Sequence, residues 1–384
     1  MIPLFKVYMA PEVEKAAVET LYSGMITQGP KVEAFEHELK RYLDVRHLLT
    51  VNSGTSALQL ACVLAGVRPG TSVISTPMTC SATNTAIRAV GGDIVWADID
   101  PATGNIDPGS VEIALRASRG VVAIMAVDWS GYPCDWTELR RLADQYHVAL
   151  IEDAAHGFGA EYRGAKLGVY ADFTCYSFQA IKHLTTVDGG ALICRNEADH
   201  KRGKLLRWFG IDREGPRKDF RCEEDITEPG FKMHMNDVTA SIGLAQLPHM
   251  PDIVGGHQFN GRYYDEAFSS LVGRTSQGIS IPERAEHVKS AYWIYTLHAK
   301  NRADFMEYMK EHGVTTSQVH ARNDTHSMFK QYQRNLPGVD AFSRTQVSIP
   351  CGWWLTAEDR EKIVQLVLVY AKSFIPSDHL YSEN

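Results

Sequence analysis

A chain of 384 residues with 44% hydrophobic and 22% charged residues has ordinary globular composition and room for two or three structural domains. Its formal net charge of -7 leaves no basic field to attract nucleic acid. No apolar run approaches the ~20 residues that span a bilayer.

The N-terminal "MIPLFKVYMAPEVEKAA" lacks a sustained apolar stretch followed by a cleavage site, so a soluble cytoplasmic protein with no membrane partner is expected. Seven cysteines (Cys62, Cys80, Cys134, Cys175, Cys194, Cys222 and Cys351) are scattered, odd in number and never in a Cys-x-x-Cys pair. That usage suits a reducing compartment and argues against a disulfide framework or a zinc ribbon.

In chain order, apolar strand-like runs alternate with helical patterns. "RHLLTV" precedes the helical "SGTSALQLACVLAG"; "TSVISTP" precedes "SATNTAIRAVGG"; then comes "DIVWADID". "GVVAIMAVDW" precedes the helical "DWTELRRLADQYH" and the strand "VALIEDAA", after which "DFTCYSF" and "GGALICR" follow with no helix between them. Nearly all-apolar strands in such alternation predict an α/β domain whose sheet is covered on both faces. Prolines and glycines cluster in "GLAQLPHMPDIVGG", and beyond it the rhythm weakens. The expected boundary lies there, giving a large domain over 1–250 and a smaller α+β domain over 251–384.

Three segments carry candidate chemistry. In "NSGTSALQL" a Ser-Gly-Thr-Ser turn opens a helix, and the N–H groups of a helix start suit a phosphate; alone, the motif reads first as an ordinary N-cap. In "VALIEDAAHGFGA", Asp153 sits at the carboxyl end of a buried strand, where open α/β sheets bind ligands. A buried carboxylate there needs a cation or donors, and a neighbouring arginine would satisfy it. A metal fits poorly, because Glu152 points to the other face of the strand and leaves only Asp153 and His156. In "YSFQAIKHLTTVDGG", Tyr176 to Ile181 read as the end of a buried strand, and Lys182 stands before a turn marked by Gly189 and Gly190. A lone lysine there reads first as reaching solvent along its stem.

Taken together, the three fit one cofactor. Pyridoxal 5'-phosphate offers an aldehyde to a lysine, a pyridine nitrogen to a carboxylate, and a phosphate to a helix start. "NSGTSAL", "IEDAAHGFGA", "YSFQAIKHLTTVDGG" and "PGFKMHMNDVTASIGLAQL" resemble the motifs of the DegT/DnrJ/EryC1/StrS family of sugar aminotransferases, and "MITQGPKVEAFEHEL" resembles that family's opening segment.

The resemblance implies a type I PLP-dependent transferase fold: a large domain with a seven-stranded mixed sheet and a smaller C-terminal α+β domain. It also implies a homodimer with shared active sites. It places Lys182 at the aldehyde, Asp153 at the ring nitrogen, His156 near the ring hydroxyl, and Gly54, Thr55 and Ser177 at the phosphate. Lys232, in "GFKMHMN", takes the slot from which many members reach the partner's phosphate. Two positions depart from the family. Cys80 stands where many relatives carry Phe or Trp over the ring, and Asp128, in "AVDWSG", replaces a frequent His.

The implied reaction moves an amino group from L-glutamate to a nucleotide-linked keto-deoxysugar, by family frequency a 4-keto-6-deoxyhexose, for surface polysaccharide. His320, Arg322 and Asn323 in "TTSQVHARNDTHSMF" are candidate substrate contacts, with a surface connection as the other reading. Two alternative functions stand beside this one. In the family's 3-dehydratases a histidine replaces the lysine, so Lys182 argues against that activity. A non-catalytic binder of the same fold is the other, and no Gly-x-Gly-x-x-Gly follows the first strand to support a dinucleotide version.

Overall fold

The computed structural model describes residues 1–215, 225–273 and 278–374; Cys222 lies outside the described residues, and the other six cysteines are free thiols. The expected seven-stranded mixed sheet is present. Its spatial order is Leu48–Val51, Gly190–Cys194, Phe173–Ser177, Ala149–Asp153, Val121–Val127, Ser72–Ser75, Asp93–Trp96. Gly190–Cys194 runs antiparallel to both neighbours, and the pairings from Phe173–Ser177 to Asp93–Trp96 are parallel.

Alternate strand residues point to opposite faces, which explains why these strands are apolar throughout. Ile74, Ile124 and Leu150 enter one buried cluster, while Val73, Ala123 and Ile151 enter another. Besides the helices read from the sequence, Pro108–Ala117 is helical, capped by Asp107, whose carboxylate accepts from Gly109 N and Ser110 N.

A third core contains Tyr264, Phe305, Val347, Ile363 and, from the N-terminal segment, Ile2. It lies around a three-stranded antiparallel sheet of Ile279–Ser280, Tyr295–Ala299 and Gln346–Ile349, with helices Arg302–Glu311 and Ala357–Lys372. The Pro/Gly cluster at 243–256, where the domain boundary is expected, is helical: Asp237–Gln246, a short 3-10 turn and Met250–Ala267 follow one another. Pro251 sits in the first turn of its helix, where a missing N–H is harmless. Gly256 is set by close packing, because a Cβ there would lie 3.1 Å from Trp353 Cα.

Two of the quoted motifs meet in the fold. Helix Pro30–Leu43 begins at Gly29, which has no side chain to cap it. Asp237 supplies the cap from "MNDVTASIG", accepting from Gly29 N at 2.8 Å, Val32 N at 3.0 Å and Lys31 N at 3.2 Å. The described residues contain no helix long and apolar enough to cross a membrane.

Candidate active site

Lys182 follows strand Phe173–Ser177, which stops four residues earlier than the sequence pattern predicts. Local side-chain bonds end it: Ser177 Oγ accepts from Gln179 N, and Gln179 Oε1 accepts from Ile181 N at 3.1 Å. The turn brings Lys182 inward, not to solvent. Its Nζ lies 3.8 Å from the ring centroid of Trp293.

Asp153 ends the neighbouring strand and is buried. Among the described residues no arginine satisfies it. Its carboxylate accepts from Thr83 Oγ1 at 2.7 Å and from Ala155 N at 3.1 Å.

Ser53 both caps the helix Gly54–Leu64, accepting from Ser56 N at 3.0 Å, and lines the cavity. The two readings of that motif are therefore compatible. Gly54 is required by close approach: a Cβ would sit 2.8 Å from Ser177 Cβ. Gly190 is required likewise, with a Cβ 2.7 Å from Gly54 N. Two glycines thus press the helix start against the strand ends, and its first N–H groups have no intrahelical partner.

One cavity of about 380 Å³ is lined by Gly54, Thr55, Cys80, Asp153, His156, Ser177, Lys182 and His320. Lys232 does not line it; its Nζ lies over the rings of Trp208 and Phe209, at 4.7 and 5.6 Å. Arg322 and Asn323 do not line it either. Arg322 pairs with Asp324 and Asp340, and Asn323 is buried between Thr79 O and Asn84 Nδ2.

The sequence reading missed Thr83 and Trp293, which also line the cavity, and Phe5 from the N-terminal segment. Trp293 stacks on His156 with centroids 3.9 Å apart and planes 10° apart, and its Nε1 donates to Ile181 O at 2.8 Å.

Burial governs the electrostatics. It pushes the Lys182 amine down to about 8, opposed by the nearby charges of Asp153 and Cys80. It pushes Asp153 up, opposed by the bonds from Thr83 and Ala155 and by Lys182. Burial and the Lys182 charge hold His156 well below its ordinary range and His320 at about 4, so both rings are neutral near pH 7. His156 Nδ1 and His320 Nε2 are buried without a protein partner, leaving them free for a ligand. A carboxylate for a ring nitrogen, an amine for an aldehyde, unpartnered donors at a helix start and a free imidazole nitrogen fit pyridoxal 5'-phosphate.

Asp128 and Glu152 lie behind this wall and outside the cavity lining. Asp128 Oδ1 accepts from Cys134 N and Trp136 Nε1, and Glu152 Oε2 accepts from Thr174 Oγ1. Their other oxygens, Asp128 Oδ2 and Glu152 Oε1, are buried without a partner. Burial and the neighbouring charge of Glu152 hold Asp128 far above the carboxylate range, and burial pushes Glu152 up to about 7. A carboxyl whose pKa is raised on folding loses stability as pH climbs from its unfolded value toward its folded one. Asp128→Asn, which needs no extra proton, is expected to raise the melting temperature at pH 8 by several degrees and to change it little at pH 4.5. Thermal unfolding at the two pH values checks this; an equal effect at both would contradict a raised Asp128 carboxyl.

A lysine amine, a strand-end carboxylate and a helix start converging at the carboxyl edge of a mixed α/β sheet define the site of a type I PLP-dependent enzyme. The sequence model of the DegT/DnrJ/EryC1/StrS aminotransferase family matches residues 8–368, and the chain belongs to that family. It is an aminotransferase. The chain is 36% identical to the sugar aminotransferase CalS13 of Micromonospora echinospora, with a TM-score of 0.90 over 96% of this chain and 99% of that one. It is 25% identical to the sugar aminotransferase Spr1654 of Streptococcus pneumoniae, solved in a PMP form, with a TM-score of 0.88 over 98% and 100% of the two chains. It is also 29% identical, over 90% of each chain, to the UDP-4-amino-4,6-dideoxy-N-acetyl-beta-L-altrosamine transaminase of Campylobacter jejuni.

Proposed function

We propose that this protein is a cytoplasmic, PLP-dependent transaminase that moves the amino group of L-glutamate to a nucleotide-linked keto-deoxysugar. The observation that carries the reading is the convergence of Lys182, Asp153 and the Gly54 helix start on one cavity. The acceptor proposed is a 4-keto-6-deoxyhexose for surface polysaccharide, supported by the Campylobacter relative, a transaminase of a 4-amino-4,6-dideoxy sugar.

When bound, PLP supplies an electron sink that stabilises negative charge at the carbon losing its proton. The other roles belong to the chain. Asp153 keeps the ring nitrogen protonated, which that sink requires. Lys182 would hold the cofactor through its amine and, when that amine is free, would act as the base and acid that carries the proton. The N–H groups of Gly54 and Thr55, with the hydroxyls of Thr55 and Ser177, hold the phosphate. His156 Nδ1 is free to bond the ring hydroxyl, and Cys80 leaves room over the ring. His320, on the small-domain side, meets the sugar substrate.

Incubation with glutamate and a UDP-4-keto-6-deoxyhexose should yield 2-oxoglutarate and a 4-amino sugar in equal amounts, read by mass spectrometry. Glutamate turnover with no 4-amino product would refute the acceptor, and loss of water from C3 would favour the dehydratase.

Shared sites in a homodimer follow from the same reading, with Lys232 serving the partner's phosphate as a point charge. Inactive Lys182→Ala and inactive Lys232→Ala proteins, mixed under conditions of subunit exchange, should regain up to about a quarter of wild-type activity, because one site of each heterodimer escapes both lesions. No recovery after proven exchange would remove Lys232 from the partner's site.

A further inference from the structure

Trp293 is buried at the back of the cavity, and two groups crowd its ring. The imidazole of His156 lies 3.9 Å from the ring centroid and nearly parallel to it. Lys182 Nζ lies 3.8 Å from the same centroid. The imidazole is stacked on the indole and the amine lies over the same ring.

The indole is also tied to the backbone beside the lysine, because Nε1 donates to Ile181 O at 2.8 Å. Phe5 closes on it from the N-terminal segment, with centroids 5.0 Å apart and planes 31° apart. Among the described residues the Lys182 ammonium has no hydrogen bond and no ion pair. A half-buried cation without a polar partner loses part of its hydration unless something else stabilises it, and the negative face of an indole is the best aromatic partner available.

We propose that Trp293 is a positioning residue for Lys182: its indole ring is the fixed resting place of the amine whenever the lysine is not joined to the cofactor. This rests on the reading of Lys182 as the amine that engages PLP. During each half-reaction the donor displaces that amine, which must stay close and in one place to carry a proton and then return. A ring held by Ile181 O and stacked with His156 provides a fixed platform at the lysine's own turn.

The other titratable groups facing the amine are Asp153 from the strand end, Cys80 from the start of helix Ser81–Ala89, and His156, His183 and His320. Burial keeps the three imidazoles neutral, so they add no charge near pH 7.

The test uses cofactor-free protein and does not depend on turnover. Competitive labelling with an amine-reactive anhydride across pH 6–10, read on the Lys182 peptide by mass spectrometry, gives the amine's own titration. Wild type, Trp293→Phe and Trp293→Leu are compared; the Phe variant keeps a ring, and circular dichroism confirms that each is folded. The Lys182 titration should move to lower pH in the order Trp, Phe, Leu, by about one unit overall, making labelling of the Leu variant about fivefold faster at pH 7. Superimposed titrations, or a shift to higher pH in the Leu variant, would overturn the proposal. Failure of the PLP reading itself would show separately, as borohydride fixing the cofactor to a different peptide or to none.

Discussion

Replacing Lys182 with alanine is expected to lower kcat for amino transfer by at least about 10⁴-fold, because one side chain holds the cofactor and moves the proton. The same change should stabilise the cofactor-free protein. Burial lowers the amine from 10.5 to about 8, so at pH 7 the folded state holds a charge that it disfavours relative to the unfolded chain. Two to three units of depression amount to a cost on the order of 3 kcal/mol, removed by the alanine and reduced by the small cavity it leaves. The sign fixes the pH window. The cost is fully present below about pH 8 and disappears as pH rises toward the unfolded value. Melting temperatures of the cofactor-free proteins should therefore differ most near pH 7 and converge near pH 10.5. A Lys182→Ala protein that is both inactive and less stable at pH 7 would show a structural lysine instead.

Asp153→Ala should lower kcat by about 10²-fold or more, the loss typical when a key electrostatic partner is deleted. Asp153→Asn separates charge from packing. An asparagine keeps the volume, its Oδ1 can accept from Ala155 N and its Nδ2 can donate to Thr83 Oγ1, but it cannot hold a proton on the ring nitrogen by charge. Both variants should be slow, and only the alanine should also lose stability, since it leaves the Thr83 hydroxyl without its acceptor. Steady-state kinetics with glutamate and thermal melts check the pair. A fast Asn variant would reduce Asp153 to a packing role.

The large-domain sheet was legible because each of its strands is short, apolar and followed by a turn signal. Lys182, Asp153 and the Gly54 segment were legible because each sits at a strand end or helix start, where local sequence reports position. Thr83 was not: its hydroxyl reaches Asp153 across 70 residues, and "SATNTAI" read only as a helix. Trp293 lies 112 residues from Ile181, inside "AYWIYTLHA", whose apolar residues read only as part of the smaller α+β domain. Apolar periodicity shows that a side chain is buried, not which charge it is buried against. The Pro/Gly run at 243–256 is helical because Pro251 satisfies a helix start and Gly256 a close contact with Trp353. Arg322 and Asn323 shared a segment with His320, yet their polar groups meet Asp340 and Thr79.

The most direct test of the central claim is borohydride reduction of the PLP-loaded protein, followed by proteolysis and mass mapping of the fixed cofactor. A single labelled peptide carrying the cofactor on Lys182 is expected, and no label once glutamate has converted the cofactor before reduction. A label on any other lysine, or one that glutamate leaves unchanged, would contradict that claim.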